Sequence, residues 1–453
     1  MDASTVTVGA SRPVRPDIPR GTGVAWRLAP LADRRRVDVL LRVFGATSLP
    51  IGVNQGRLTA MGLPSETTDV ALRKIRTVAQ WDIGWTWAAQ RFLGEARAHH
   101  RLGQDHAAAL AERHAALAYH LAGSLVFDDP RKMRTLRASA SSLYARTLPV
   151  LHPAVRRVDV AWRTSVLPGY LALPENASGP VPLAVLLNGT STSKEETLLW
   201  SAAFLAHDLA VLALDWPGSG ESALTVPPTP DCDDFTDGVI ALANAHPGID
   251  ASRVALVGFS LGGAVAAFAA ANDRRIGAVV AVTPPYDPRP WLARAQPLLR
   301  QHLAAIAGGE TQAAHLAAAF ALPGIVERAR CPMLVIGAGR DLIVPPQEAI
   351  RYCAAAGERG TLLWYRDGSH GLYEMLPDWT AEAARWLTSV LLGITPSTWV
   401  DEPHGASDRR HVGSQTPDLT PLRDTPTLRR APHGTWASHC FIATRYFKPT
   451  KKP

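Results

Sequence analysis

The chain has 453 residues, of which 47% are apolar and 19% charged, with a formal net charge of +7; that is room for roughly two or three globular units with a sizeable core. The tail from Thr395 carries nine Lys/Arg against five Asp/Glu and supplies four of those charges, so the body is only mildly basic. It lacks the concentrated basic face of a nucleic-acid binder, and no apolar run is long enough to span a bilayer.

In chain order, residues 1–30 mix Pro, Arg and Gly without a continuous apolar stretch, and read as a flexible leader rather than a secretory signal. Residues 31–150 read as an all-α unit. Val70-Ala71-Leu72, Ile75 and Val78-Ala79 recur at helical spacing, and Trp81, Trp85 and Phe92 continue the face. Trp81 and Trp85 are candidates to line an apolar substrate cavity. A helix over His106–Leu125 stops near Asp128-Asp129-Pro130, and another is expected over Lys132–Arg146.

The pattern changes over residues 151–393. Val155–Leu173 reads as strands joined by a Pro-Gly turn at 168–169. Short apolar strands then alternate with helices: strands at Leu183–Leu187, Ala210–Leu214, Val254–Val257, Ile276–Val282, Met333–Ile336 and Thr361–Tyr365, helices at Glu196–His207, Asp233–His246, Ala264–Ala271 and Ala381–Leu392. This implies an α/β fold, a mostly parallel sheet with helices on both faces. A helical insertion at about 288–330 is expected to roof the site. Residues 394–453, rich in Pro, Thr, Arg and Gly, read as disordered.

The chemistry centres on Gly258-Phe259-Ser260-Leu261-Gly262. The segment follows a strand and opens a helix, which is the setting a G-x-S-x-G nucleophile elbow requires. A serine hydroxyl needs a base, and in the α/β-hydrolase fold acid and histidine follow the serine in that order. Asp341 lies just past the strand Met333–Ile336 and His370 past the next one. His370 is the expected base and Asp341 the group that orients it. Asp367, only three residues before His370, reads as a surface residue, and His302 and His315 as surface or roof residues. Oxyanion donors are expected from the N–H of Leu261 and, in the loop after Leu187, the N–H of Thr190. The loop Asp215–Ser222 lacks a phosphate-binding spacing and reads as a structural turn.

The four cysteines, 232, 331, 353 and 440, stand in no metal-type spacing and read as free thiols in a reducing, cytoplasmic setting. No metal and no cofactor is expected. The expected partner is a small-molecule acyl or aromatic substrate, with no nucleic acid and no membrane, and a homodimer is left open.

Taken together, Asn188-Gly-Thr-Ser-Thr-Ser-Lys194-Glu195-Glu196, the D-x-P-G-x-G-E run at Asp215–Glu221, Ser260, Asp341 and His370 resemble the α/β-hydrolases related to the fermentation-respiration switch protein. The helical N-terminal unit, with Trp81 to Phe92 and Asp128-Asp-Pro-Arg-Lys132, is similar to theirs too. The resemblance covers about residues 60–392. It implies an α/β-hydrolase fold preceded by a helical cap, a triad of Ser260, Asp341 and His370, and in some members cleavage of a carbon–carbon bond beside a ketone. In a pyridine-substrate member an acidic residue lies three positions before the lysine. This chain has Ser191 there, a substrate-binding candidate that can hydrogen-bond but is no comparable base, so which bond is cleaved stays open.

The leading expectation is a cofactor-free serine hydrolase acting on an ester, a thioester or a ketone-adjacent C–C bond through an acyl-enzyme. A prolyl-oligopeptidase-like peptidase, an acyltransferase or cyclase, and a non-catalytic binding protein are the alternatives. The helical N-terminal region argues against the peptidase, and an intact Ser–Asp–His set against the binding protein.

Overall fold

In the computed structural model the described residues are 34–46 and 55–393. The leader and the tail expected from sequence lie outside them. Helices come first: α1 (Arg34–Phe44), α2 (Gln55–Ala60), α3 (Ser65–Lys74), α4 (Trp81–Arg101), α5 (Asp105–Gly123) and α6 (Pro130–Leu151). The start of α6 is fixed by Asp129, whose side chain accepts from the Lys132 N–H, with Pro130 at the first helical position, where its missing N–H costs nothing.

The rest is strand–helix alternation: β1 (Arg156–Trp162), β2 (Ser165–Ala172), β3 (Val181–Leu187), α7 (Lys194–Thr197), α8 (Ala202–Leu205), β4 (Ala210–Leu214), α9 (Phe235–Ala245), β5 (Ile249–Phe259), α10 (Leu261–Asn272), β6 (Ile276–Val282), α11 (Pro297–Ala307), α12 (Glu310–Ala319), β7 (Met333–Ala338), α13 (Gln347–Ala356), β8 (Gly360–Tyr365) and α14 (Leu376–Leu392). The eight strands form one sheet in the order β1-β2-β4-β3-β5-β6-β7-β8. β2 runs antiparallel to β1 and β4, and the pairings from β4 through β8 are parallel. Strands β3 and β4 are buried at every residue, as a sheet covered on both faces requires. The chain leaves β3 toward β4 on one side and returns to β5 on the other. The carboxyl ends of β3 and β5 therefore flank the switch point where such sheets place their sites.

Two expected elements differ. Pro168 and Gly169 lie inside β2, opposite Asp159 and Val158, and the turn falls after Trp162, at Arg163 (φ 51°). Gly169 is needed for close approach rather than for turning: a Cβ there would sit 2.9 Å from Leu212 Cδ1. The expected Glu196–His207 helix is broken into α7, a 3-10 turn at Leu198–Trp200, and α8.

The helical layer and the sheet share a core. Trp81, Trp85 and Phe92 belong to one buried cluster with Tyr170 and Ala213 of the sheet, Trp291 and Leu298 of the insertion, and Ile343 and Val344 after β7. Among the described residues no helix is long and apolar enough to cross a membrane.

Candidate active site

The turn from β5 into α10 holds Ser260 at φ 52°, ψ −119°, a conformation costing about 1–3 kcal/mol for a non-glycine residue. Neighbouring glycines make room for it. A Cβ on Gly258 would lie 2.2 Å from the Gly262 carbonyl oxygen, and one on Gly262 2.4 Å from that of Leu187. The Ser260 N–H donates to Val282 O at 2.8 Å, tying the elbow to β6.

The hydroxyl of Ser260 lies 3.1 Å from His370 Nε2, and His370 Nδ1 lies 2.7 Å from Asp341 Oδ2. The other Asp341 oxygen accepts the N–H groups of Ile343 (2.8 Å) and Val344 (2.9 Å). With its carboxylate committed as acceptor, Nδ1 must carry the hydrogen, which leaves Nε2 as acceptor for the serine proton. Asp367 pairs with Arg340 at the surface, away from this chain of bonds.

Thr190, Ser191 and Leu261 all line the cavity above Ser260. Among the described residues neither the Thr190 nor the Leu261 N–H has an intramolecular acceptor, so both remain available to an oxygen in the cavity. The loop carrying Thr190 is braced from several sides. Asn188 Nδ2 donates to Thr192 O (2.7 Å), the Gly189 N–H to Thr192 Oγ1 (2.7 Å), and Trp216 Nε1 to Asn188 O (2.7 Å).

Behind the loop lies a buried charge network. Lys194 Nζ reaches Glu195 (2.5 Å), Glu221 (2.6 Å) and Asp215 (3.2 Å). The Lys194 N–H and the Glu221 N–H both donate to Asp215. This explains the D-x-P-G-x-G-E run: it brings a carboxylate and a turn under the loop, and a Cβ at Gly220 would strike the Asp215 carboxylate. From α2, Arg57 donates to Glu196 and to the Ser191 carbonyl (2.8 Å). Burial alone would raise the Glu196 pKa, but the charges of Arg57 and His120 bring it down to about 2.

The cavity encloses about 1190 Å³ of empty space, mouth included. Its walls are mainly apolar, with Trp291, Leu299, Leu303 and Phe320 from the insertion and Ile343 and Val344 from the loop after β7. The expected lining by Trp81 and Trp85 is corrected. Both are fully buried in the helical core, with Trp81 Nε1 donating to Leu121 O at 2.7 Å; their helical spacing reports packing between α4 and α5. The insertion supplies the cavity's tryptophan instead. His302 is a roof residue as expected but not a surface one: it is buried, lines the cavity and bonds the Thr190 carbonyl through Nε2 at 3.1 Å. His315 is exposed.

Sequence reasoning missed Arg57 and the role of His302. Arg57 sits in a short helix with no motif of its own, and only the uncommon Lys-Glu-Glu run at 194–196 signals that the loop demands buried countercharges. Among the described residues no group of three or more His, Cys, Asp or Glu side chains is placed to hold a metal.

Residues 184–384 match the Alpha/beta hydrolase family profile. The chain is 26% identical over 343 residues, 75% of its own length and 92% of the other's, to 2,6-dihydropseudooxynicotine hydrolase of Paenarthrobacter nicotinovorans. It is 30% identical over 223 residues to the hydrolyase poxO of Penicillium oxalicum, spanning about half of that protein (52%) and 46% of this chain. The crystal structure of the 2,6-dihydroxy-pseudo-oxynicotine hydrolase shares the fold with a TM-score of 0.65 at 24% identity, covering 75% of this chain and 96% of that one. Sheet order, elbow and matched segment agree: residues 184–384 are matched by the Alpha/beta hydrolase family, within a chain that has the alpha/beta hydrolase fold and a helical region in front of its sheet.

Proposed function

We propose that the protein is a serine-nucleophile hydrolase that cleaves an ester, a thioester or a ketone-adjacent C–C bond of a small or medium acyl, aromatic or polyketide-like substrate. The observation carrying this reading is the bond chain Ser260–His370–Asp341 on the floor of a largely apolar cavity. His370 Nε2 takes the Ser260 proton as Oγ attacks the substrate carbonyl, and Asp341 stabilises the resulting imidazolium. The Leu261 and Thr190 N–H groups receive the developing oxyanion. Return of the proton to the leaving group releases it and leaves an acyl-enzyme. Water, deprotonated by the same His370, then frees the acid. For a C–C bond the leaving group is the carbanion of a ketone, which His370 protonates at carbon.

The relatives support this range: one is named 2,6-dihydropseudooxynicotine hydrolase and another is the hydrolyase poxO of Penicillium oxalicum. Ser191 contributes a carbonyl that fixes Arg57 and lines the cavity, so it shapes the substrate's seat rather than acting as a base. Cys232, Cys331 and Cys353 are free and buried, which suits a reducing, cytoplasmic setting.

The test is labelling by a fluorophosphonate. Wild-type protein should react stoichiometrically at Ser260, and Ser260→Ala should not react while keeping its far-ultraviolet circular dichroism. A folded wild type that takes no label sinks the reading. Product analysis on aryl esters, acyl thioesters and β-diketones then ranks the bonds.

A further inference from the structure

A second cavity of about 1090 Å³ of empty space, mouth included, lies beside the first. The two share Thr190, Leu261, Leu316 and Phe320 in their walls. Thr190 and Leu261 are the two residues assigned above to the developing oxyanion, so on that reading the second cavity begins where the chemistry would take place. Its walls differ in charge from those of the first. They include Arg134 and Arg137 of α6 and no Asp or Glu. Arg134 is exposed and Arg137 half-buried.

Among the described residues the Arg137 guanidinium makes no hydrogen bond and no ion pair. The charges it feels most, Asp215 and Glu195, lie behind the wall and are already engaged by Lys194 Nζ. Among the described residues the three carboxylates Glu195, Asp215 and Glu221 face only Lys194 and Arg157 as paired cations. The network is thus one positive charge short. That deficit lets Arg137 stay charged in a confined place while its donors remain unused. Burial pulls its pKa down from the ordinary arginine value, the direction expected of a cation whose water has been removed without replacement. An arginine fork with free donors at a cavity wall matches a planar carboxylate.

We propose that the second cavity is an anion-recognition arm of the substrate site, in which Arg137, assisted by Arg134, binds a carboxylate carried by the same substrate whose carbonyl lies at Ser260. This rests on the hydrolase reading above and narrows the substrate class to acyl compounds with an anionic terminus.

The test compares two p-nitrophenyl esters, one of adipic acid with its far carboxylate free and one with that carboxylate capped as the methyl ester. Wild type should favour the free acid, and Arg137→Gln should raise its KM about tenfold to hundredfold with kcat little changed, leaving the capped ester unaffected. Arg137→Lys should recover part of the preference, and Arg134→Gln should lose less than Arg137→Gln. Arg137→Gln should keep the wild-type far-ultraviolet circular dichroism and a cooperative melt, because no internal hydrogen bond or ion pair is removed. Equal use of both esters by wild type, or an equal effect of Arg137→Gln on both, overturns the arm while leaving the triad standing. If neither ester is turned over and Ser260 takes no fluorophosphonate, the catalytic reading fails and the arm is judged by calorimetry alone. Adipate should then bind wild type but not Arg137→Gln, with adipamide as the neutral control; no adipate binding to wild type overturns it.

Discussion

Arg57 and Glu196 stand 139 residues apart and meet through two bonds, Nε to Oε1 at 2.9 Å and Nη2 to Oε2 at 2.7 Å, with both side chains buried. One end of the pair belongs to α2 and the other to α7, directly after the loop that presents Thr190. The same guanidinium holds the Ser191 carbonyl. The helical region therefore does more than cover the sheet: it fixes the backbone of the loop that carries Thr190.

Removing either partner leaves an uncompensated buried charge, which costs about 3–5 kcal/mol. Arg57→Ala and Glu196→Gln should therefore lower the denaturation midpoint. Where folded enzyme is recovered, kcat should fall about tenfold to hundredfold, a share of what losing one oxyanion donor costs, with KM for a small aryl ester changed less. Arg57→Lys should keep more stability than Arg57→Ala and recover little of kcat, since a single point donor cannot hold Glu196 and Ser191 together. Equal kcat in wild type and folded Arg57→Ala would separate this pair from catalysis.

Asp341→Asn keeps the shape of the acid but removes its charge and permits the wrong imidazole tautomer. The expected loss in kcat is about a thousandfold to ten-thousandfold, and His370→Gln should lose about as much. Both should retain wild-type circular dichroism. A decrease below tenfold in Asp341→Asn, measured by steady-state hydrolysis of an aryl ester, would show that another residue orients His370.

How much of this was legible depended on the kind of signal. The elbow was readable because its requirements are local: Gly258 and Gly262 are forced by backbone atoms a few residues away or on the next strand, and Ser260 follows a buried strand. Asp341 and His370 were readable from their positions after β7 and β8. The sheet was readable because β3, β4 and β6 are uninterrupted apolar runs. Pro168-Gly169 misled because a turn signature and a close-approach glycine look alike in sequence. Trp81 and Trp85 misled because a helical aromatic stripe reports which face is buried, not whether a cavity or another helix buries it. Arg57–Glu196 and His302–Thr190 were illegible because each joins distant segments with no spacing rule.

The backbone of Ser260 offers a stability test. At φ 52° glycine avoids the Cβ strain that serine and alanine both bear, offset in part by the larger entropy loss of glycine on folding. Ser260→Gly should exceed Ser260→Ala in stability by about 1 kcal/mol, read from the urea midpoint at unchanged slope. Both variants lose the hydroxyl, so the difference isolates the backbone. A Ser260→Gly variant less stable than Ser260→Ala would mean that the elbow is not strained.

His114 supplies a pH test. It is buried against Phe92 with ring centroids 5.3 Å apart, and burial, with the Arg113 charge added, lowers its pKa to about 4 from 6.5. The unfolded chain therefore binds a proton near pH 6.5 that the folded chain accepts only near pH 4. Stability is whole above the unfolded value and falls as pH drops through this window, because the unfolded state holds more protons there. The full shift corresponds to about 3 kcal/mol. His152 and His302 are shifted in the same direction by burial and add to the slope. Urea midpoints taken from about pH 7.5 down to about pH 4.5 should decline in wild type and decline less steeply in His114→Gln. Its absolute stability at the higher pH should be reduced by imperfect packing against Phe92. Identical slopes in the two proteins would show that His114 takes its proton as readily when folded as when unfolded.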